Sequence, residues 1–156
     1  MVEIKVKIQI DAPIGKVWNV ISQVDNDSEF WNVTKIIRNI SKKDNMIVRE
    51  VMLDKIDKCS QTITFLPQED VQVKWTKGVI TGTKDISLSV FGSGTLLEVK
   101  MNYNISGPSR FFPGKLTEKL QIEAEYALDR IKEKSEGRPH VIPMEPRKFC
   151  ADMIRG

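Results

Sequence analysis

Histidine is almost missing from this chain: of 156 residues only His140 is one, and it stands between Pro139 and Val141 with no partner at metal-ligand spacing. No metal site is therefore expected. Ser-His or Cys-His catalysis would need His140 to fold back over a distant pocket, and no GxSxG elbow supplies a nucleophile. Cysteine is nearly as scarce. Cys59 falls in a strand-like stretch and Cys150 near the end, without a CxxC pair, so no disulfide framework is expected. With no signal-peptide pattern at the start, both read as reduced thiols, which predicts a cytoplasmic setting. Long apolar runs are absent too, because Lys, Glu, Asn or Thr interrupts every stretch short of the roughly 20 residues that a spanning helix requires. No membrane span is expected. A phosphate loop is also lacking: Gly78, Gly82, Gly92 and Gly94 lie in hairpin-like sequence that leads into strands rather than helices. No cofactor is implied by any motif.

The net charge of +3 is small, and charges of both signs alternate along most of the chain. The densest basic stretches, Arg38 to Lys43 and Arg147 to Lys148, have no interleaved aromatic residues on which bases would stack. Both features argue against nucleic acid as a partner.

What is present is patterning. Val2, Ile4, Val6, Ile8 and Ile10 alternate with Glu3, Lys5, Lys7 and Gln9, the signature of a half-buried strand. Pro13 suits a helix start and Asp11 is available to cap it. Ile14, Val17, Val20, Ile21 and Val24 then follow helical spacing, and Asp25, Asn26, Asp27 and Ser28 precede Phe30 and Trp31 in a second, very short helix. From Val33 to Ile105 the period is two. Turn chemistry at Lys43 to Asn45, Asp54 to Asp57, Pro67 to Asp70, Gly78 to Gly82 and Phe91 to Gly94 divides that region into about six strands of an antiparallel meander. Ile80, Ile86, Leu88 and Val90 mark the inward face of one strand, and Leu97, Val99, Met101, Tyr103 and Ile105 that of the next. Between Pro113 and Lys134 the apolar residues Leu116, Leu120, Ala124, Ala127, Leu128 and Ile131 return to helical spacing, with Gly137 as the C-terminal stop.

The order of strand, two short helices, six strands and long helix resembles the START-like, or SRPBCC, helix-grip superfamily. The stretch EIKVKIQIDAPIGKVWNVIS, followed by Asp25 to Trp31, carries the local likeness. That superfamily includes polyketide cyclases and dehydratases, pollen-allergen-type carriers, coenzyme-Q-binding proteins and lipid-transport proteins. The resemblance implies an α+β fold in which a seven-stranded curved antiparallel sheet wraps a long C-terminal helix, with two short helices after strand 1. It covers residues 2 to about 136. The expected organisation is a ligand-binding domain over 1–136 and a tail over 137–156. Val141, Ile142, Met144 and Phe149 make the tail apolar enough to pack on the domain or on a partner chain, which would permit a homodimer; Ile122 and Tyr126, off the main helical stripe, are the residues to be covered.

The resemblance also implies a hollow between sheet and helix that holds a small hydrophobic molecule. Its candidate lining is Arg49, Val51, Trp75, Lys84, Ile86, Leu88, Val99, Met101, Tyr103, Phe111, Phe112, Leu116 and Leu120. Among these, Arg49 and Lys84 are charges that fall in the apolar register of their strands. An unpaired buried charge is too costly to keep. Each therefore either meets a carboxylate, phenolate or phosphate of a ligand, or escapes to the rim, pairs with an internal acid, or is turned outward by a bulge. Trp31, Trp75 and Phe65 serve core packing or a ligand wall, Tyr103 offers a phenol, and Phe111 and Phe112 stand where the superfamily has a pocket entrance. Three functions fit: binding or transport of a lipid-, polyketide- or quinone-like ligand; a cyclase- or dehydratase-like enzyme; and an interaction module like the chaperone- or ribosome-associated members.

Overall fold

The computed structural model describes residues 1–53, 57–107, 111 and 113–137. The alternating N-terminal segment is strand β1 (Val2–Ile10), whose Ile4 and Ile10 are buried. Pro13 follows in extended conformation immediately before helix α1 (Ile14–Ile21). The side-chain cap expected from Asp11 is not formed; instead the Asp11 backbone N–H donates to Glu136 Oε2 at 2.8 Å, which ties the end of β1 to a residue 125 positions further on. A 3₁₀ helix (Val24–Glu29) comes next, and Phe30 and Trp31 behind it are driven inside, 4% and 2% exposed.

Six strands then form the meander: β2 (Thr34–Lys43), β3 (Met46–Leu53), β4 (Asp57–Leu66), β5 (Asp70–Lys77), β6 (Ile80–Phe91) and β7 (Gly94–Ile105). β1 closes against β7, so the seven-stranded antiparallel sheet runs β1-β7-β6-β5-β4-β3-β2. Bulges interrupt β2 between Ile36 and Arg38 and between Asn39 and Ser41, and a further irregularity lies at Ser60/Gln61. Such bulges bend strands and let a sheet curl. The pairings of β3 with β4 and of β6 with both neighbours are unbroken. Arg49 and Lys84 therefore keep the inward register.

Two sequence expectations need correction. Gly82 does not belong to a turn: β6 begins at Ile80, and Gly82 pairs with Trp75 on one side and Tyr103 on the other. Its φ of +149°, and the collision a Cβ would make with the Asn102 carbonyl oxygen and, at 2.6 Å, with the Tyr103 Cα, explain why a glycine stands inside a strand. Val90 shares the parity of Ile86 and Leu88 but is 72% exposed, because it lies at the tip of the β6–β7 hairpin.

Helix α2 (Pro113–Ser135) lies against β1, β7 and α1 and buries Leu116, Leu120, Glu123, Ala124, Ala127, Leu128, Ile131 and Ser135. Full burial of each large apolar side chain contributes roughly 1.5–3 kcal/mol, so this stripe holds the helix in place. Its last turns are pinned by Lys132 Nζ donating to the Gln9 carbonyl at 2.7 Å and by the Lys134–Glu29 ion pair at 3.0 Å. Gly137, with φ +74°, ends it and donates to the Lys134 carbonyl at 3.2 Å. Ile122 and Tyr126 are 57% and 39% exposed among the described residues. The tail expected to cover them, with His140, Cys150 and the Arg147 to Lys148 pair, lies outside the described residues, as does Asp54 to Ile56 of one expected turn.

Candidate functional site

One register row crosses the concave face of the sheet: Arg49 on β3 pairs with Gln61 on β4, Gln61 with Trp75 on β5, Trp75 with Gly82 on β6, and Gly82 with Tyr103 on β7. All four side chains in this row are buried to 2% exposure or less. Lys84, one inward position along from Gly82, is 3% exposed, and the row it belongs to is otherwise apolar, with Ile63, Val73, Met101 and Ile4. A polar row thus lies beside an apolar row, and a lysine projects from the latter.

Arg49 is fully partnered. Its Nε donates to Gln61 Oε1 at 2.9 Å, Nη1 to the Val24 carbonyl at 2.9 Å, and Nη2 to Asp27 Oδ2 at 2.7 Å. The charge thus binds the 3₁₀ helix to the middle of the sheet. Burial pushes the Asp27 carboxyl above its ordinary range, against the opposing pull of Arg49 and Lys84.

Lys84 differs. Its Nζ lies 3.6 Å from the centroid of the Trp31 ring and 5.7 Å from that of Trp75, a cation–π setting. Among the described residues it forms neither a hydrogen bond nor a direct ion pair. Burial lowers its affinity for a proton, opposed at longer range by Glu123 and Asp27 and reinforced by Arg49. Glu123, on α2 and 3% exposed, has Oε2 engaged by the Val33 N–H at 2.8 Å and the Thr34 hydroxyl at 3.2 Å. Its carboxyl is raised by burial, with Lys84 pulling the other way. Two further buried donors lack an acceptor among the described residues: Gln61 Nε2 and Trp75 Nε1. Tyr103 is satisfied by donating to Thr117 Oγ1 at 3.1 Å, and burial raises its phenol.

The other sequence-named candidates fall into two groups. Val51, Ile86, Leu88, Val99, Met101, Leu116 and Leu120 are all buried in the core between sheet and helix. Phe111 is 67% exposed, and Phe112 lies outside the described residues. Two surface depressions, of about 260 and 330 Å³, lie near Gln9 and Lys132 and between β1 and α2. None of the candidates lines either one.

Sequence reasoning missed Asp27, Gln61 and Glu123. Glu123 lies three residues after Leu120 and one before Ala124, inside the apolar stripe of α2. The test that singled out Arg49 and Lys84, a polar residue in an apolar register, would have found it and Gln61, which falls between Cys59 and Ile63 in β4. Asp27 reads as a local cap residue, and nothing in its neighbourhood signals a partner 22 positions away. Among the described residues no group of His, Cys, Asp and Glu could hold a metal ion, and no helix is long and apolar enough to cross a membrane.

Comparison with known proteins defines the class. By sequence, no family model and no curated protein matches the chain. By structure many chains do. TTHA0849 from Thermus thermophilus is similar with a TM-score of 0.74 at 10% identity, covering 87% of this chain and 98% of that one. The ZhuI aromatase/cyclase from a Streptomyces species gives 0.68 at 10% identity, over 86% and 93%. The Aha1 dimer from Colwellia psychrerythraea gives 0.60 at 14% identity, over 87% and 97%. The chain therefore has the START-like, SRPBCC helix-grip fold, α+β with its sheet gripping a C-terminal helix. At this level of identity the likeness establishes the fold alone, and one fold hosts many functions.

Proposed function

We propose that this protein binds a small, largely apolar molecule, lipid-, polyketide- or quinone-like, against the concave face of the sheet. The observation that carries this reading is Lys84, a buried cation with no direct ionic partner among the described residues, projecting from an apolar row. A fold with no use for it would gain by replacing it with methionine, since an unmatched buried charge opposes folding. Its retention fits a site whose remaining contact comes from a ligand. Val99, Met101, Leu116 and Leu120 supply the apolar surroundings, with Phe111 and Phe112 as the proposed entrance.

A second reading is catalytic, of the cyclase or dehydratase kind. Its support is the likeness to several aromatase/cyclases together with Glu123, a buried acid that burial biases toward its protonated, proton-donating form near Lys84. Both readings require an occupant. Native mass spectrometry of gently purified protein is expected to show an adduct of a few hundred daltons, an order-of-magnitude size for a pocket ligand, that organic extraction removes. Bare protein alone, together with no stabilisation by a panel of lipids, quinones and aromatic polyketides, would overturn the proposal.

A further inference from the structure

Gln61, Trp75 and Lys84 occupy inward positions on three consecutive strands, β4, β5 and β6. Their free groups share one character. Arg49 can only donate, so Gln61 must turn Oε1 toward it, and this fixes the amide with its NH₂ facing elsewhere. The Trp75 indole is donor only, and so is an ammonium. Gln61 Nε2 and Trp75 Nε1 are buried with no acceptor among the described residues, and the Lys84 ammonium, 3.6 Å from the centroid of the Trp31 ring, forms no ion pair among them. A buried donor left unmet opposes folding, and two on adjacent strands, beside a lysine without an ionic partner, make a coherent local deficit of acceptors rather than a scattered one.

Resting on the ligand-binding reading above, we propose that Lys84, Trp75 and Gln61 form a head-group site for a carboxylate, so that the ligand is an apolar monoacid. A carboxylate has two acceptor oxygens with about four lone-pair directions and no donor, the complement of one cation and two neutral N–H donors. Neither nearby acid forms an ion pair with Lys84 among the described residues; Glu123 and Asp27 act on it only through space. Asp27 Oδ2 is engaged by Arg49, and Glu123 Oε2 by Val33 and Thr34. Gly82 adds to the fit: standing in the row beside Trp75, it puts no side chain between the indole and Tyr103. Arg49, the more obvious anion binder, is excluded because its three nitrogens are already committed within the protein.

The test compares 2-naphthoic acid and decanoic acid with their methyl esters, by calorimetry and by ¹H–¹⁵N spectra of the indole region. The Trp75 signal is assigned by its loss in Trp75→Phe. Either acid is expected to bind at least tenfold more tightly than its ester and to move the Trp75 indole proton downfield. Lys84→Met should weaken the acid by tenfold or more while leaving the ester within about twofold, as expected for loss of a charge-assisted contact. Acid and ester binding equally well, with the Trp75 indole proton unmoved, would overturn the carboxylate assignment and leave the apolar-ligand reading standing. No binding by any of the four compounds overturns the assignment as well; the wild-type adduct in native mass spectra then decides the broader reading separately.

Discussion

Arg49 and Lys84 are both cations buried on inward strand positions of the same sheet, yet the protein treats them in opposite ways. Around Arg49 every nitrogen is matched, by a side-chain amide, a backbone carbonyl and a carboxylate at 2.7–2.9 Å. Around Lys84 the surroundings are two tryptophan faces and two carboxylates that act only at a distance. The first arrangement is a structural fastening, in which a buried charge joins the 3₁₀ helix to strands β3 and β4. On the proposed reading the second is a receptor; the first cannot serve as one, because a planar guanidinium with three fixed contacts has nothing left to offer a ligand. Burial alone thus does not tell the two cations apart; the tally of their partners does.

Removing Arg49 should give the largest effect. Arg49→Met leaves the Asp27 carboxylate and the Gln61 amide buried without their partner, and a loss of about 3–5 kcal/mol is expected in urea denaturation. A loss under about 1 kcal/mol would erase the contrast between the two cations. Lys84→Met should act in the opposite direction, leaving stability unchanged or raising it by roughly 1–2 kcal/mol, because an apolar chain of similar length replaces an unmatched charge. The pH dependence carries a sign. Burial depresses the Lys84 proton affinity below its ordinary 10.5, so the unfolded chain binds the proton more tightly and stability falls as pH is lowered through the window beneath that value. Thermal melts of Lys84→Met across alkaline pH should lack this slope; a wild-type slope in the variant would show that Lys84 does not produce it.

Asp70 extends the comparison to an anion and gives the smallest effect. Among the described residues its Oδ1 is buried without a hydrogen-bond partner, and burial, with Asp85 adding repulsion, pushes its carboxyl up to about 6 against the opposing hydrogen bonds of Gln72 and the Ile86 backbone. The folded state then holds the proton more tightly than the unfolded one, whose carboxyl titrates near 3.8, so stability falls as pH rises from about 4 to about 6. Asp70→Asn should flatten that descent and stabilise the protein at neutral pH by about 1 kcal/mol or less, since the group is partly exposed and solvent screens it. Melts at pH 4, 5, 6 and 7 check this, and parallel curves for variant and wild type would dismiss Asp70 as the source.

The contrast between the two cations is only half legible in the sequence. Alternation of Ile47, Arg49, Val51 and Leu53 shows that Arg49 points inward, and that of Ile80, Lys84, Ile86 and Leu88 does the same for Lys84. The seven strands, the first short helix and the long helix are readable for the same reason, since period two and period 3.6 are local properties of the chain; the second short helix is signalled only by cap-type residues and forms over Val24–Glu29, on those residues rather than after them. What periodicity cannot carry is pairing across the fold. Asp27 reaches Arg49 only because α1 and the 3₁₀ helix fold over the sheet, and Gly82 reads as a turn because the close approach of Asn102 and Tyr103 is invisible from β6 alone.

The outer strand β2 has an outcome for the company this protein keeps. Its two bulges break the regular ladder that a further strand would need, and Lys35, Arg38, Lys42 and Lys43 put like charges along it. Asp25 draws Asn39 and Lys42 down against the 3₁₀ helix. This border of the sheet is a poor template for fibril growth or for sheet-to-sheet pairing between copies, so crowded chains are kept from zipping together along β2.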